Sequence, residues 1–268
     1  MSVIVVTATT NMQRAEPCLK SWAERAAVAP MIRVVVNGQR GPYLGTVPAF
    51  RTGVDDALEA TDADIIACLH DDLEILEDHW DETIERAFRR HPEVGLLGFG
   101  GAVGLGHPDL YRTPYDPMQL ARVGFRSNLV DAEAHGARSL VPEPVVCLDG
   151  FSQIGRRAFW QGIRRIDTFG NGTRHLRIRP WQYLQDQGFI HHFYDGGLAC
   201  LARRLGWDVY YLPVRCHHYG GRTAVGDQGY QRWAAQQIDG GDRGFWEQAH
   251  RLGYDCFRNE LPLRLEQA

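Results

Sequence analysis

Within its first hundred residues the chain sets four short apolar runs among segments of helical spacing. Val3 to Val6, Ile32 to Val36, the run ending at His70 and Val94 to Phe99 are strongly β-branched or aliphatic, the composition of buried strands. Between them, Arg14 to Ala29 repeats apolar residues at Leu19, Trp22, Ala23 and Ala26 and stops before Pro30. Pro48 to Ala60 turns Phe50, Val54, Ala57 and Leu58 to one side. Asp78 to Arg90 does the same with Trp80, Ile84 and Phe88. The pair Asn37-Gly38 closes the second run as a turn. Strand and helix in alternation predict an α/β fold: a mostly parallel, twisted sheet with helices on both faces and right-handed crossovers. No Gly-x-Gly-x-x-Gly follows the first run, which argues against a dinucleotide site.

The third run continues straight into Leu69-His70-Asp71-Asp72-Leu73-Glu74. In an open α/β sheet, ligands gather outside the carboxyl ends of the strands. Asp71 and Asp72 are thereby placed at a cleft. Paired carboxylates there suit Mg²⁺ or Mn²⁺, with substrate phosphates filling the shell. The same residues also fit an ordinary strand-to-loop turn, where Asp is favoured for backbone reasons.

After residue 100 the pattern changes. Gly100 to Pro144 is rich in Gly, Pro and charge and reads as an insertion over the cleft. Val145 to Leu148 resumes as a strand, followed by Asp149-Gly150. Arg156 to Ile163 reads as a short helix and Arg164 to Pro180 as irregular and basic. Asp195 to Leu205 is helical, with Gly206 as its C′ glycine. Val209 to Val214 is a strand leading to Cys216-His217-His218. Tyr230 to Ile238 and Phe245 to Leu252 are expected terminal helices.

The chain is 44% hydrophobic and 23% charged, the profile of a soluble globular protein. A net charge of -4 and pI near 6.3 give no overall pull toward nucleic acid or anionic membrane. The 6 cysteines are scattered, with no CxxC pair, as buried thiols in a reducing compartment are. The N-terminus lacks the basic region and cleavage site of a signal peptide, and no apolar stretch reaches membrane-spanning length. A cytoplasmic location is expected.

The order of these signals resembles the nucleotide-sugar glycosyltransferases of the GT-A fold, family 2-like. Thr7-Ala8-Thr9-Thr10-Asn11 stands where that family lines its nucleoside pocket. His70-Asp71-Asp72 stands at its metal-binding Asp-x-Asp. Leu148-Asp149-Gly150 with Gly155-Arg156-Arg157-Ala158-Phe159 is similar to its acceptor-side strand and Arg-Arg-x-Phe. Tyr194-Asp195-Gly196-Gly197-Leu198, running on to Ala202-Arg203-Arg204-Leu205-Gly206-Trp207 and Tyr211-Leu212-Pro213, resembles its Glu-Asp-x-Asp-Leu block. The resemblance implies one catalytic domain over 1–222: a nucleotide-sugar half (1–100), an insertion (101–144) and an acceptor half (145–222). Residues 223–268 would form a helical extension. It further implies Asp72 as metal ligand with His218 or His217, and Asp195 as the base of an inverting displacement. Thr7, Thr9, Asn11, Asn37, Arg51 and Asp71 would then contact the donor, a UDP-sugar before others. As bare residue types, Asp195 also fits a helix cap, and the two histidines a strand-end pair bonded to backbone. Three positions depart from the family pattern. His70 replaces the first Asp, Val36-Asn37 replaces the base-reading Asp, and Tyr194 replaces the Glu before Asp195.

From Arg156 to Trp181 there are arginines at 156, 157, 164, 165, 174, 177 and 179, interleaved with Trp160, Phe169 and Trp181. Basic residues among aromatics are the footprint of phosphate contact and base stacking. Asp149, Arg157, Trp160, Arg177 and Trp181 are the expected acceptor-binding residues. The acceptor is a saccharide, a lipid phosphate or a hydroxymethylated pyrimidine in DNA. A non-catalytic sugar-nucleotide binding protein is the remaining reading.

Overall fold

The computed structural model describes residues 1–38, 43–103, 124–130, 136–165, 194–220, 228, 229 and 232. The apolar runs become strands β1 (Val3–Thr9), β2 (Met31–Val36), β3 (Ile65–Leu69) and β5 (Val94–Gly98); β4 (Leu73–Ile75) is a short strand beyond the end of β3. The helical segments become α1 (Met12–Glu24), α2 (Thr46–Ala60) and α3 (Trp80–Arg90). Then follow β6 (Gly100–Ala102), β7 (Phe125–Ser127), β8 (Ala137–Arg138), β9 (Glu143–Pro144), β10 (Cys147–Leu148) and β11 (Ser152–Arg156). The rest are α4 (Arg157–Arg165), α5 (Tyr194–Arg204), β12 (Asp208–Tyr211) and β13 (Cys216–His218).

The fold is α/β. A seven-stranded sheet runs in the order β2-β1-β3-β11-β5-β12-β9. The β2-β1, β1-β3 and β5-β12 neighbours are parallel, while β11 and β9 run against theirs. Every residue of β3 and of β5 is buried, as strands covered on both faces must be. One face packs on α2, α4 and α5 through Phe50, Val54, Trp160 and Leu198. The other packs on α1 and α3 through Trp22, Trp80, Ile84 and Phe88. The buried indoles keep their N–H groups satisfied: Trp22 donates to Leu73 O at 2.8 Å and Trp80 to Trp22 O at 3.0 Å. Among the described residues, a four-stranded sheet (β10-β6-β7-β8) and a two-stranded one (β13-β4) complete the ladder structure. Among the described residues, no helix is long and apolar enough to cross a membrane.

Several boundaries differ from the sequence reading. Strand β1 runs on to Thr9 because β2 continues beside it, pairing Thr7 with Val34 and Thr9 with Val36. Helix α1 ends at Glu24, five residues early. The buried Asp81 carboxylate takes the N–H groups of Ala27 (2.7 Å) and Val28 (3.0 Å), drawing the chain out of the helix. Strand β11 has no counterpart in the sequence reading at all. Most of the insertion and nearly all of 223–268 fall outside the described residues.

Candidate metal centre

Strand β3 carries the chain through the core and delivers His70 at its carboxyl end. There His70 N donates to Phe151 O at 3.0 Å, and Leu73 N closes the turn on His70 O at 3.1 Å. Strand β4 then pairs antiparallel with β13, setting Leu73 opposite His218. Tyr219 N donates to Asp72 O at 3.0 Å across the same junction. Helix α1 braces β4 from behind: Trp22 bonds Leu73 O, and the Ser21 hydroxyl accepts from Ile75 N at 3.1 Å.

This frame brings together three side chains far apart in sequence. Asp72 Oδ1 lies 3.2 Å from His218 Nε2 and 3.9 Å from His70 Nδ1. One donor atom from each residue falls in a set whose members are all within 4.8 Å of one another. Two donors on one ion at ~2.1 Å stand ~3 Å apart at a right angle and ~4.2 Å apart when opposite. The three residues fit a single divalent cation with sub-ångström adjustment. The rings are held by aromatic neighbours. His70 stacks on Phe50 (centroids 6.1 Å, planes 15° apart), and His218 lies 4.8 Å from Phe151.

Burial lowers the His70 pKa from its ordinary 6.5, and the neighbouring His218 lowers it further, against the opposing pull of Asp72, Asp149 and Asp71. The ring is therefore neutral at pH 7 and has a lone pair to offer. The alternation of β13 turns the two histidines to opposite sides. His218 faces Asp72, while the His217 ring packs on Tyr219 on the other side, centroids 4.0 Å apart. The group contains His218 and not His217.

Two further carboxylates, Asp149 and Asp195, are expected at the site. Asp149 accepts from Phe151 N at 3.3 Å, at the loop where His70 is also anchored. Asp195 is in the first turn of α5. Burial first, then the charges of Asp195 and Asp149, push the Cys147 thiol up to about 12. Asp149 thus acts on both His70 and Cys147, and Asp195 on Cys147. Asp71 is buried in the turn itself.

The sequence matches no protein-family model, and no curated protein matches it. Among solved structures, a Pyrobaculum calidifontis mannosyltransferase in complex with GDP-Man and Mn²⁺ is 13% identical, with 96% of this chain and 70% of that one covered, at TM-score 0.39. A Drosophila galactosyltransferase in complex with manganese, UDP-Gal and xylobiose is 16% identical, covering 83% and 72%, at TM-score 0.38. A CMP:2-keto-3-deoxy-manno-octonic acid synthetase complexed with CTP is 12% identical, covering 89% and 100%, at TM-score 0.40. All three superpose loosely.

The other expected site residues are distributed as follows. Thr7 and Thr9 are buried at the end of β1. Asn11 caps α1, its side chain accepting from Gln13 N and Arg14 N. The Asn37 amide is spent on the following loop, donating to Leu44 O at 2.7 Å and accepting from Leu44 N at 2.6 Å. Arg51 pairs with Asp55 at 3.7 Å. Arg157 and Trp160 are not brought to the cluster. Strand β11 runs against β3 with Arg156 opposite Ile65, so both lie by the amino end of β3, roughly 13 Å from its carboxyl end. Arg157 donates to Leu58 O at 2.6 Å, and Trp160 Nε1 to Ile66 O at 3.1 Å. Arg156 is spent on Val94 O and on the face of Phe88, and Arg164 on Asp55 and Glu59. Arg156 and Arg157 are thus engaged with backbone carbonyls, and Arg164 with two acids of α2. Arg177 and Trp181 lie outside the described residues.

His70 is the residue that sequence reasoning passes over. Against a family motif it counts as a lost carboxylate. In the structure it offers a nitrogen donor in that place. The His-x-Asp spacing at a strand end was its only signal.

Proposed function

We propose that this chain is a divalent-cation-dependent glycosyltransferase of the GT-A kind. It would move a sugar from a nucleotide-diphosphate sugar to an acceptor hydroxyl with inversion. The reading is carried by the His70-Asp72-His218 group at the carboxyl end of the central strand. Three protein donors leave half of an octahedral shell open, which suits the two phosphates of a sugar nucleotide. A cation bound there would offset the charge that builds on the departing diphosphate.

The chain's own groups supply the rest. Asp72 is the one anionic ligand, and the aromatic walls Phe50 and Phe151 keep both imidazoles turned toward it. Asp195 takes the proton of the acceptor hydroxyl. It stands in the first turn of α5. Asp149, whose charge acts on both His70 and Cys147, suits an acceptor contact. Thr7, Thr9, Asn11 and Asp71 stay the donor-side assignments, with the nucleotide half in 1–100 and the acceptor half in 145–222. The free thiols Cys18, Cys68, Cys147 and Cys216 suit a reducing, cytoplasmic setting.

The test is release of nucleoside diphosphate from a panel of nucleotide sugars with Mn²⁺ present. Asp72→Ala and Asp195→Asn are each expected to lower turnover by about 10²-fold or more while the unfolding midpoint holds. A wild-type chain that turns over no donor in the panel, or an Asp195→Asn variant at full rate, would overturn the proposal.

A further inference from the structure

The donor set of the metal group differs from what its chemistry most simply calls for. A site that only had to neutralise phosphate would do so with oxygens, the ligands Mg²⁺ prefers. Here two of the three donors are imidazole nitrogens, from His70 and His218, and one is the carboxylate of Asp72. Asp71, the second carboxylate of the same turn, is not in that group.

Imidazole favours ions of borderline softness, and affinity at such sites rises from Mn²⁺ through Fe²⁺ and Co²⁺. Mg²⁺ gives up its water shell reluctantly and gains little from nitrogen. Both imidazoles stand against aromatic rings. The His70 ring is stacked on Phe50, with its backbone N–H bonded to Phe151 O at 3.0 Å. The His218 ring is wedged between Phe151 (4.8 Å) and His70 (5.7 Å) on a strand that is itself paired with β4.

We infer that the His70-Asp72-His218 site selects a borderline transition ion of the Co²⁺, Fe²⁺ or Zn²⁺ class over Mg²⁺, and that His70 sets this preference. The inference rests on the reading of this group as the cation site and specifies which cation it takes.

The experiment is calorimetric titration of the metal-free chain with Co²⁺, Zn²⁺, Mn²⁺ and Mg²⁺, with no nucleotide present, together with the visible absorption of the Co²⁺ form. Co²⁺ and Zn²⁺ are expected to bind at least about 100-fold more tightly than Mg²⁺, with Mn²⁺ between. The Co²⁺ bands should lack thiolate charge transfer. His70→Asp, which restores an oxygen donor, should narrow the gap between Co²⁺ and Mg²⁺ by about tenfold or more and shift the bands. His70→Gln serves if the Asp variant fails to fold, and should weaken Co²⁺ while leaving Mg²⁺ nearly unchanged. Mg²⁺ affinity within threefold of Co²⁺, or Co²⁺ affinity and spectrum untouched by both His70 variants, would overturn the inference. An absence of all metal binding would overturn it together with the cation step proposed above. Because no donor sugar is present, a chain with the Co²⁺ preference but no transferase activity loses only the transferase proposal. A chain that turns over its donor sugar but binds Mg²⁺ as tightly as Co²⁺ loses only this one.

Discussion

Trp160→Phe distinguishes a packing residue from an acceptor-binding one. Trp160 is 1% exposed, its Nε1 donates to Ile66 O at 3.1 Å, and its ring lies 4.9 Å from that of Phe159. Gly155 on β11 makes room for it, since a Cβ there would stand 2.5 Å from Nε1. The substitution takes one donor from a fully buried strand carbonyl, a loss of about 1–2 kcal/mol. The smaller ring also leaves a void on the order of 40 Å³, which costs ~1 kcal/mol at ~24 cal/mol per Å³. Together these come to about 2–3 kcal/mol, or roughly 5–10 °C in unfolding midpoint for a chain of this size. Thermal and denaturant unfolding measure the loss. Metal affinity and donor turnover, measured on the same variant, should stay within about threefold of wild type, since the change lies at the far end of β3. Unchanged stability with a raised KM for the acceptor would refute this reasoning and return Trp160 to the substrate.

Two further outcomes follow from the electrostatics. Cys147 is only half-buried, yet with its thiol pushed up to about 12 it should resist iodoacetamide in the native protein at pH 8. Asp195→Asn removes one of the charges that hold it there and should speed alkylation, read by peptide mass mapping; an unchanged rate would separate Asp195 from the Cys147 thiol. Burial lowers the folded pKa of His70 below 6.5, so the unfolded chain takes up that proton first. Stability from this group is complete above the ordinary value and is lost as pH falls through it toward the folded value. The unfolding midpoint of the metal-free chain should therefore fall as the pH drops below about 6.5, and less so in His70→Gln; identical pH profiles would refute the assignment.

The α/β layering was legible because it follows from hydrophobic period alone. Runs such as Ile65–Leu69 cannot be solvated on either face, and α3 has one apolar stripe, so sheet and helix are the arrangements that bury them. The turn bearing Asp71 and Asp72 was legible for the same reason, as the place where a central strand must end. Strand β11 was not. Ser152–Arg156 holds a single branched aliphatic residue, and it becomes a strand because β3 and β5 leave a slot between them with unpaired backbone groups on both sides.

The basic and aromatic run after Gly155 shows the opposite case. Its composition suggested a ligand surface. The antiparallel course of β11 instead delivers Arg156, Arg157 and Trp160 to the amino end of β3, where carbonyls await their donors. Which histidine faces Asp72, and that His70 joins it, depended on the pairing of β13 with β4 across more than a hundred residues of chain. Hydrophobic period is a local property and can be read along the sequence. The meeting of His70, Asp72 and His218 is set by strand register, and register is decided only when distant segments compete for the same hydrogen bonds.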